Sequence, residues 1–193
     1  MAKAVLISIR PEWVEKIARG EKTVEVRKTR PKLETPFKCH IYCTMDHPYI
    51  SISCGELDKL NYRTNTVGRC NGKVIGEFTC DRVETIKAAT EPYGIYDVDD
   101  DFVSKTRLVD GALWDYGHGA TLYGWHISKL EIYDTPKELN EFWFPPELYC
   151  EKERCGGCPY DQVADVNGEY SFDCEWKRPL TRPPQSWCYV EEL

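Results

Sequence analysis

The sequence predicts an α+β domain: a mostly antiparallel sheet curled into a β-barrel, with flanking helices and a cysteine-rich C-terminal insertion. Three observations lead there. Five or six segments alternate apolar and polar residues with period two, as half-buried strands do. One amphipathic helix stands near the N-terminus. Long polar inserts separate the later strands. At 193 residues the chain can bury one sizeable core. We read 1–193 as a single domain with residues 145–178 as its cysteine-rich insertion.

The first strand is the apolar run Ala4 to Ile9. Pro11 to Arg19 forms the helix, with Pro11 in its first turn and Gly20 just past its end, where helix termini favour them. Trp13 most simply packs on its apolar face. In the next segment Lys22, Val24 and Val26 alternate with Thr23, Glu25 and Arg27, which places the last three on one face of a strand. Lys22 sits at the strand mouth. A cation, a carboxylate and a guanidinium gathered there suit a cleft for a polar, planar ligand. The same spacing also describes a solvated ladder of charges, whose ion pairs contribute little.

Pro36 to Thr44 is a further strand. Residues 45–71 are polar and irregular, with a short helix expected over Gly55 to Tyr62. Lys73 to Val83 is a strand whose Gly76 marks a bulge or a close backbone approach. Residues 86–119 form a helical or loop-like excursion, and Ala120 to Tyr133 returns to β alternation. Asp134-Thr135 before Pro136 is a helix-start pattern, predicting a helix over Pro136 to Phe142. Trp187 to Glu191 closes the chain as a strand.

No apolar run reaches membrane-spanning length and no secretory leader is visible, so the expected location is cytoplasmic. A formal charge of −7 excludes an indiscriminate polyanion binder. The charge is uneven, however. Between Lys16 and Lys38 eight basic residues face three acidic ones, a patch suited to a local anionic ligand.

Of ten cysteines six are scattered, Cys39, Cys43, Cys54, Cys70, Cys80 and Cys188, and four form a group. Cys39, Cys43 and Cys80 lie in apolar strand runs and behave as small buried hydrophobes. Cys150, Cys155, Cys158 and Cys174 are clustered, and without a secretion signal a disulfide framework is the lesser explanation. The Cys-x2-Cys pair plus two more thiolates can close a tetrahedral shell around zinc. The first three also match iron–sulfur spacing, but the fourth follows too closely. Structural zinc is therefore the expected cofactor, a staple with no open coordination position. Unligated or oxidised thiols are the other reading.

The run Leu6-Ile7-Ser8-Ile9, then Pro11, a helix and Gly20-x-Lys22-x-x-Glu25-x-Arg27 resembles the opening of the ASCH domain family of the PUA-like superfamily. The resemblance continues through Gly72 to Phe78, which includes Glu77, and Tyr123 to Ser128. It ends at Pro183 to Tyr189 and leaves 44–70 and 85–120 poorly matched. It implies a small pseudo-barrel whose mouth gathers Trp125 and Trp187. Stacking on an aromatic plane beside polar groups that read an edge is how a base is recognised, although strand tryptophans are more often core. Gln185 and Ser186, next to Trp187, can bond a base edge or a phosphate. His126 reads as a hydrogen-bonded barrel residue.

The expected function is a module that binds RNA, a nucleoside or a modified nucleotide in a barrel-mouth pocket made by Lys22, Glu25, Arg27, Glu77, Trp125, Gln185, Ser186 and Trp187. The resemblance also implies two enzymes, an amidohydrolase acting on acylated cytidine and a single-strand ribonuclease. Lys22 matches the catalytic lysine of the first, but Glu25 stands where its threonine would be. For the second no residue set carries over. A protein-docking accessory module is the remaining alternative.

Overall fold

The computed structural model describes residues 3–50, 70–90, 94–108, 111–145 and 178–191. The four clustered cysteines and the helix expected over Gly55 to Tyr62 lie outside these residues. The architecture is built around β1 (Lys3–Ile9), whose residues Ala4 to Ile9 are all buried. A strand buried this way needs cover on both faces. Val5, Ile7 and Ile9 enter one apolar cluster with Phe37, Cys39, Ile41, Phe78 and Cys80. Ala4 and Leu6 enter another on the opposite face with Tyr42, Val74, Phe142 and Leu180.

The elements that follow are α1 (Pro11–Ala18), β2 (Val24–Arg27), β3 (Phe37–Cys43), β4 (Val74–Ile86), α2 (Asp100–Thr106), α3 (Ala112–Gly117), β5 (Leu122–Lys137) and β6 (Trp187–Glu191). The strands form one mixed sheet in the order β2-β5-β4-β3-β1-β6. Among the described residues only β1 and β3 pair in parallel. Parallel neighbours need a crossover, and α1 with β2 supplies it. Cys39, Cys43 and Cys80 are fully buried, and Cys43 and Cys80 are pushed up to about 12 by burial.

Two expectations are corrected. The sheet is not a closed barrel: β2 and β6 end the ladder and are not paired with each other. β2 has only four residues, and Pro31 and Pro36 after it cannot donate to a ladder. Side chains bridge the seam instead. The Trp187 indole donates to Thr29 Oγ1 at 3.0 Å, and Lys32 N donates to the Tyr189 hydroxyl at 2.8 Å. Second, the helix expected over Pro136 to Phe142 is a single 3-10 turn, Leu139–Glu141. The reason is that β5 stays paired with β4 as far as Val74 opposite Lys137. The 86–119 excursion, expected to be helical or loop-like, contains α2 and α3 among its described residues, and Phe102 and Leu113 from them pack on Val24 and Val26 of β2. Gly76 sits at a register shift where a Cβ would collide with the Glu131 carbonyl oxygen, so it marks both a bulge and a close approach.

Candidate functional site

The site begins at the end of α1. Gly20 adopts φ +71°, the left-handed region that glycine enters without strain. Its N–H bonds the Ile17 carbonyl at 2.8 Å, and that of Glu21 bonds the Lys16 carbonyl at 2.9 Å. This is a Schellman turn. It swings Lys22 back beneath α1, where only 2 % of the residue is exposed. Lys22 Nζ donates to the carbonyls of Val24 and Thr106, both at 2.8 Å, and lies 3.3 Å from Glu25 Oε2. It also stands 5.2 Å over the Trp13 ring.

Glu25 joins the two cations. Its Oε1 is 3.0 Å from Arg27 Nη2, which also donates to the Ser8 carbonyl at 2.6 Å. Burial pulls the Lys22 pKa down, with Arg27 and Lys16 adding to the fall, while Glu25 acts against them. With three acceptors around one ammonium, the charged form is the one that the geometry serves. Arg27 Nε is buried and unpartnered among the described residues, as is Thr44 Oγ1.

These groups line a cleft of about 880 Å³ along the open seam of the sheet. Ser8 to Arg10 form one side and Pro183 to Ser186 the adjoining wall, with Trp13 from α1 and Ala112, Asp115 and Tyr116 from α3 facing them. Ser8 Oγ ties the wall in place by donating to the Pro184 carbonyl at 2.7 Å. The Tyr116 phenol is raised by burial, against the field of Arg27. Lys28 lies 4.9 Å over its ring.

Of the residues singled out in the sequence, Lys22, Glu25, Arg27, Gln185 and Ser186 share this cleft. The other three stand elsewhere. Trp125 is fully buried, edge-on to Phe37 at 5.8 Å and tilted against Trp187 at 6.0 Å. Trp187 spends its indole N–H on Thr29 and is not in the lining. Glu77 accepts from Tyr133 at 2.7 Å and pairs with Lys38 at 3.0 Å, in a network that includes the buried His40. His126 belongs to a surface cluster with Glu84 and Arg82. The basic patch divides too: Lys22 and Arg27 line the cleft, whereas Lys28, Arg30 and Lys32 are exposed outside it.

Sequence reasoning missed Tyr116, Asp115, Thr44 and Arg10. The two from α3 lie in a stretch without periodicity, where the flanking glycines of Gly111-Ala112-Leu113-Trp114-Asp115-Tyr116-Gly117 were the one usable signal.

An α+β domain with a six-stranded mixed sheet and a buried Lys–Glu–Arg cluster in its open seam defines the class. Residues 7–101 match the family model of the ASCH domain. The solved structures to which the chain is similar include the ASCH protein from Zymomonas mobilis, at TM-score 0.53 and 16% identity, covering 98% of this chain and 88% of that one. A tyrosine-to-phenylalanine variant of that protein aligns at TM-score 0.51 and 16% identity, covering 99% and 92%. No curated protein matches the chain in sequence. The match over residues 7–101 identifies this part of the chain as an ASCH domain.

Proposed function

We propose that this ASCH domain binds RNA or a modified nucleoside or nucleotide by taking a base into the seam cleft. The observation that carries the reading is Glu25: a buried carboxylate held by a cation at each oxygen, in a concavity that also holds Trp13 and Tyr116. A carboxylate fixed in this way accepts from a base amino group without having to be reoriented. Trp13 and Tyr116, rather than Trp125 or Trp187, offer the stacking surface. The match of residues 7–101 to the ASCH domain, a family generally associated with RNA binding, supports the same direction. Lys22 acts as an anchor for Glu25 on this reading. A lysine serving as general base would have to be free of the acceptors that surround it.

No helix of the described residues is long and apolar enough to cross a membrane. We also propose, from spacing alone, that Cys150, Cys155, Cys158 and Cys174 hold one structural zinc ion.

Calorimetric titration with short single-stranded RNAs and a nucleoside panel tests the binding claim. Tyr116→Ala and Gln185→Ala alter exposed cleft positions and should weaken binding while leaving the circular dichroism unchanged. Arg27→Ala should cost roughly 1.5–3 kcal/mol, the worth of a charge-assisted hydrogen bond. Unaltered affinity in all three variants would exclude the cleft. Incubation with acylated cytidine should give no turnover, and hydrolysis lost in Lys22→Ala would replace the binding reading with the hydrolase one.

A further inference from the structure

The charges lining the cleft are not those of a phosphate site. Three cations, Arg10, Lys22 and Arg27, face four carboxylates, Glu12, Glu25, Asp46 and Asp115. The two buried cations are already engaged, Lys22 with two carbonyls and Glu25, and Arg27 Nη2 with Ser8 and Glu25. Glu12, Asp46 and Asp115 are exposed. No cation among the described residues pairs with any of the three. Arg10 is the one exposed cation in the lining, against three exposed carboxylates, and Lys28, Arg30 and Lys32 are outside it.

We propose that Glu12, Asp46 and Asp115 are specificity determinants that keep phosphate out of the cleft, so that the group it admits is an uncharged base or nucleoside. This rests on the base-binding reading above and narrows it. The cleft holds about 880 Å³, so it is about 10 Å across, close to the Debye length of about 10 Å in 0.1 M salt. A phosphate monoester brings a charge of about −1.5 to −2 into that space. Repulsion by three unpaired carboxylates is then only partly screened, and like-charge contact is an established route to discrimination.

The test is calorimetry at low salt with cytidine and adenosine, each against its monophosphate. In the unaltered protein the nucleosides should bind about tenfold more tightly than their monophosphates. The combined variant Glu12→Gln, Asp46→Asn, Asp115→Asn changes only exposed positions and should close that gap by improving the monophosphates. Monophosphates binding the unaltered protein as tightly as nucleosides would overturn the proposal and leave the base-binding reading standing. A gap that persists in the neutralised variant would overturn the assignment to these three residues. Binding of neither series would reject the base-binding reading and this proposal together.

Discussion

Lys22 has three donors and three acceptors, and Glu25 is the only one of those acceptors that carries charge. Glu25→Gln therefore leaves Lys22 and Arg27 as buried cations without a counter-ion. We expect it to cost about 3–5 kcal/mol in urea denaturation, with part recovered when Lys22→Met is added. A second buried group gives a pH dependence. Burial pushes His40 down to about 4, with Lys38 and Lys137 assisting and Glu77 opposing. Between 6.5 and 4 the unfolded chain binds a proton that the folded chain refuses, so stability falls as pH falls through that window and flattens below it. The loss is on the order of 3 kcal/mol. Glu77 adds to it at lower pH: burial raises its carboxyl, but bonds from Tyr133 and Lys38 outweigh this and hold it below 4.5. Denaturation midpoints across this range should lose most of their slope in His40→Gln.

At the scale of elements, α1 and the turn after it were the most legible part of the chain. Their signals, Pro11 and Gly20, act locally. Gly20→Ala tests the turn: nothing lies within 4 Å of the added Cβ, so the cost is backbone strain alone, about 1 kcal/mol by thermal denaturation. The strand pattern also placed Glu25 and Arg27 on one face. It could not give depth. Trp125 is the register partner of Glu25 and shares its face, but the curl of the sheet carries that position into the core against Phe37. Tyr116 was illegible for the opposite reason, because α3 reaches the cleft only through packing on β2. The cysteine element stands on spacing alone. Metal analysis of protein purified without chelator should find about one zinc per chain, and neither zinc nor iron would refute the assignment.

For the whole molecule, the feature that matters is the sheet's failure to close. Apolar alternation predicted five or six strands in a barrel, but closure depends on whether β2 and β6 have paired backbones to offer. With only four residues in β2 and prolines beyond it, the seam is bridged by Thr29–Trp187 and Lys32–Tyr189, and the cleft opens along it. Thr29→Val removes one of these bridges and should loosen the 28–32 loop, seen as faster amide exchange there with little change in global stability. The central claim is that this seam cleft receives a base. Amide chemical-shift mapping with cytidine and a short single-stranded RNA tests it most directly. The account predicts perturbations at residues 8–13, 22–27, 112–116 and 183–186, with the His40, Glu77 and Tyr133 face unmoved. Saturating ligand that shifts none of these, or shifts centred on the His40, Glu77 and Tyr133 face, would contradict it.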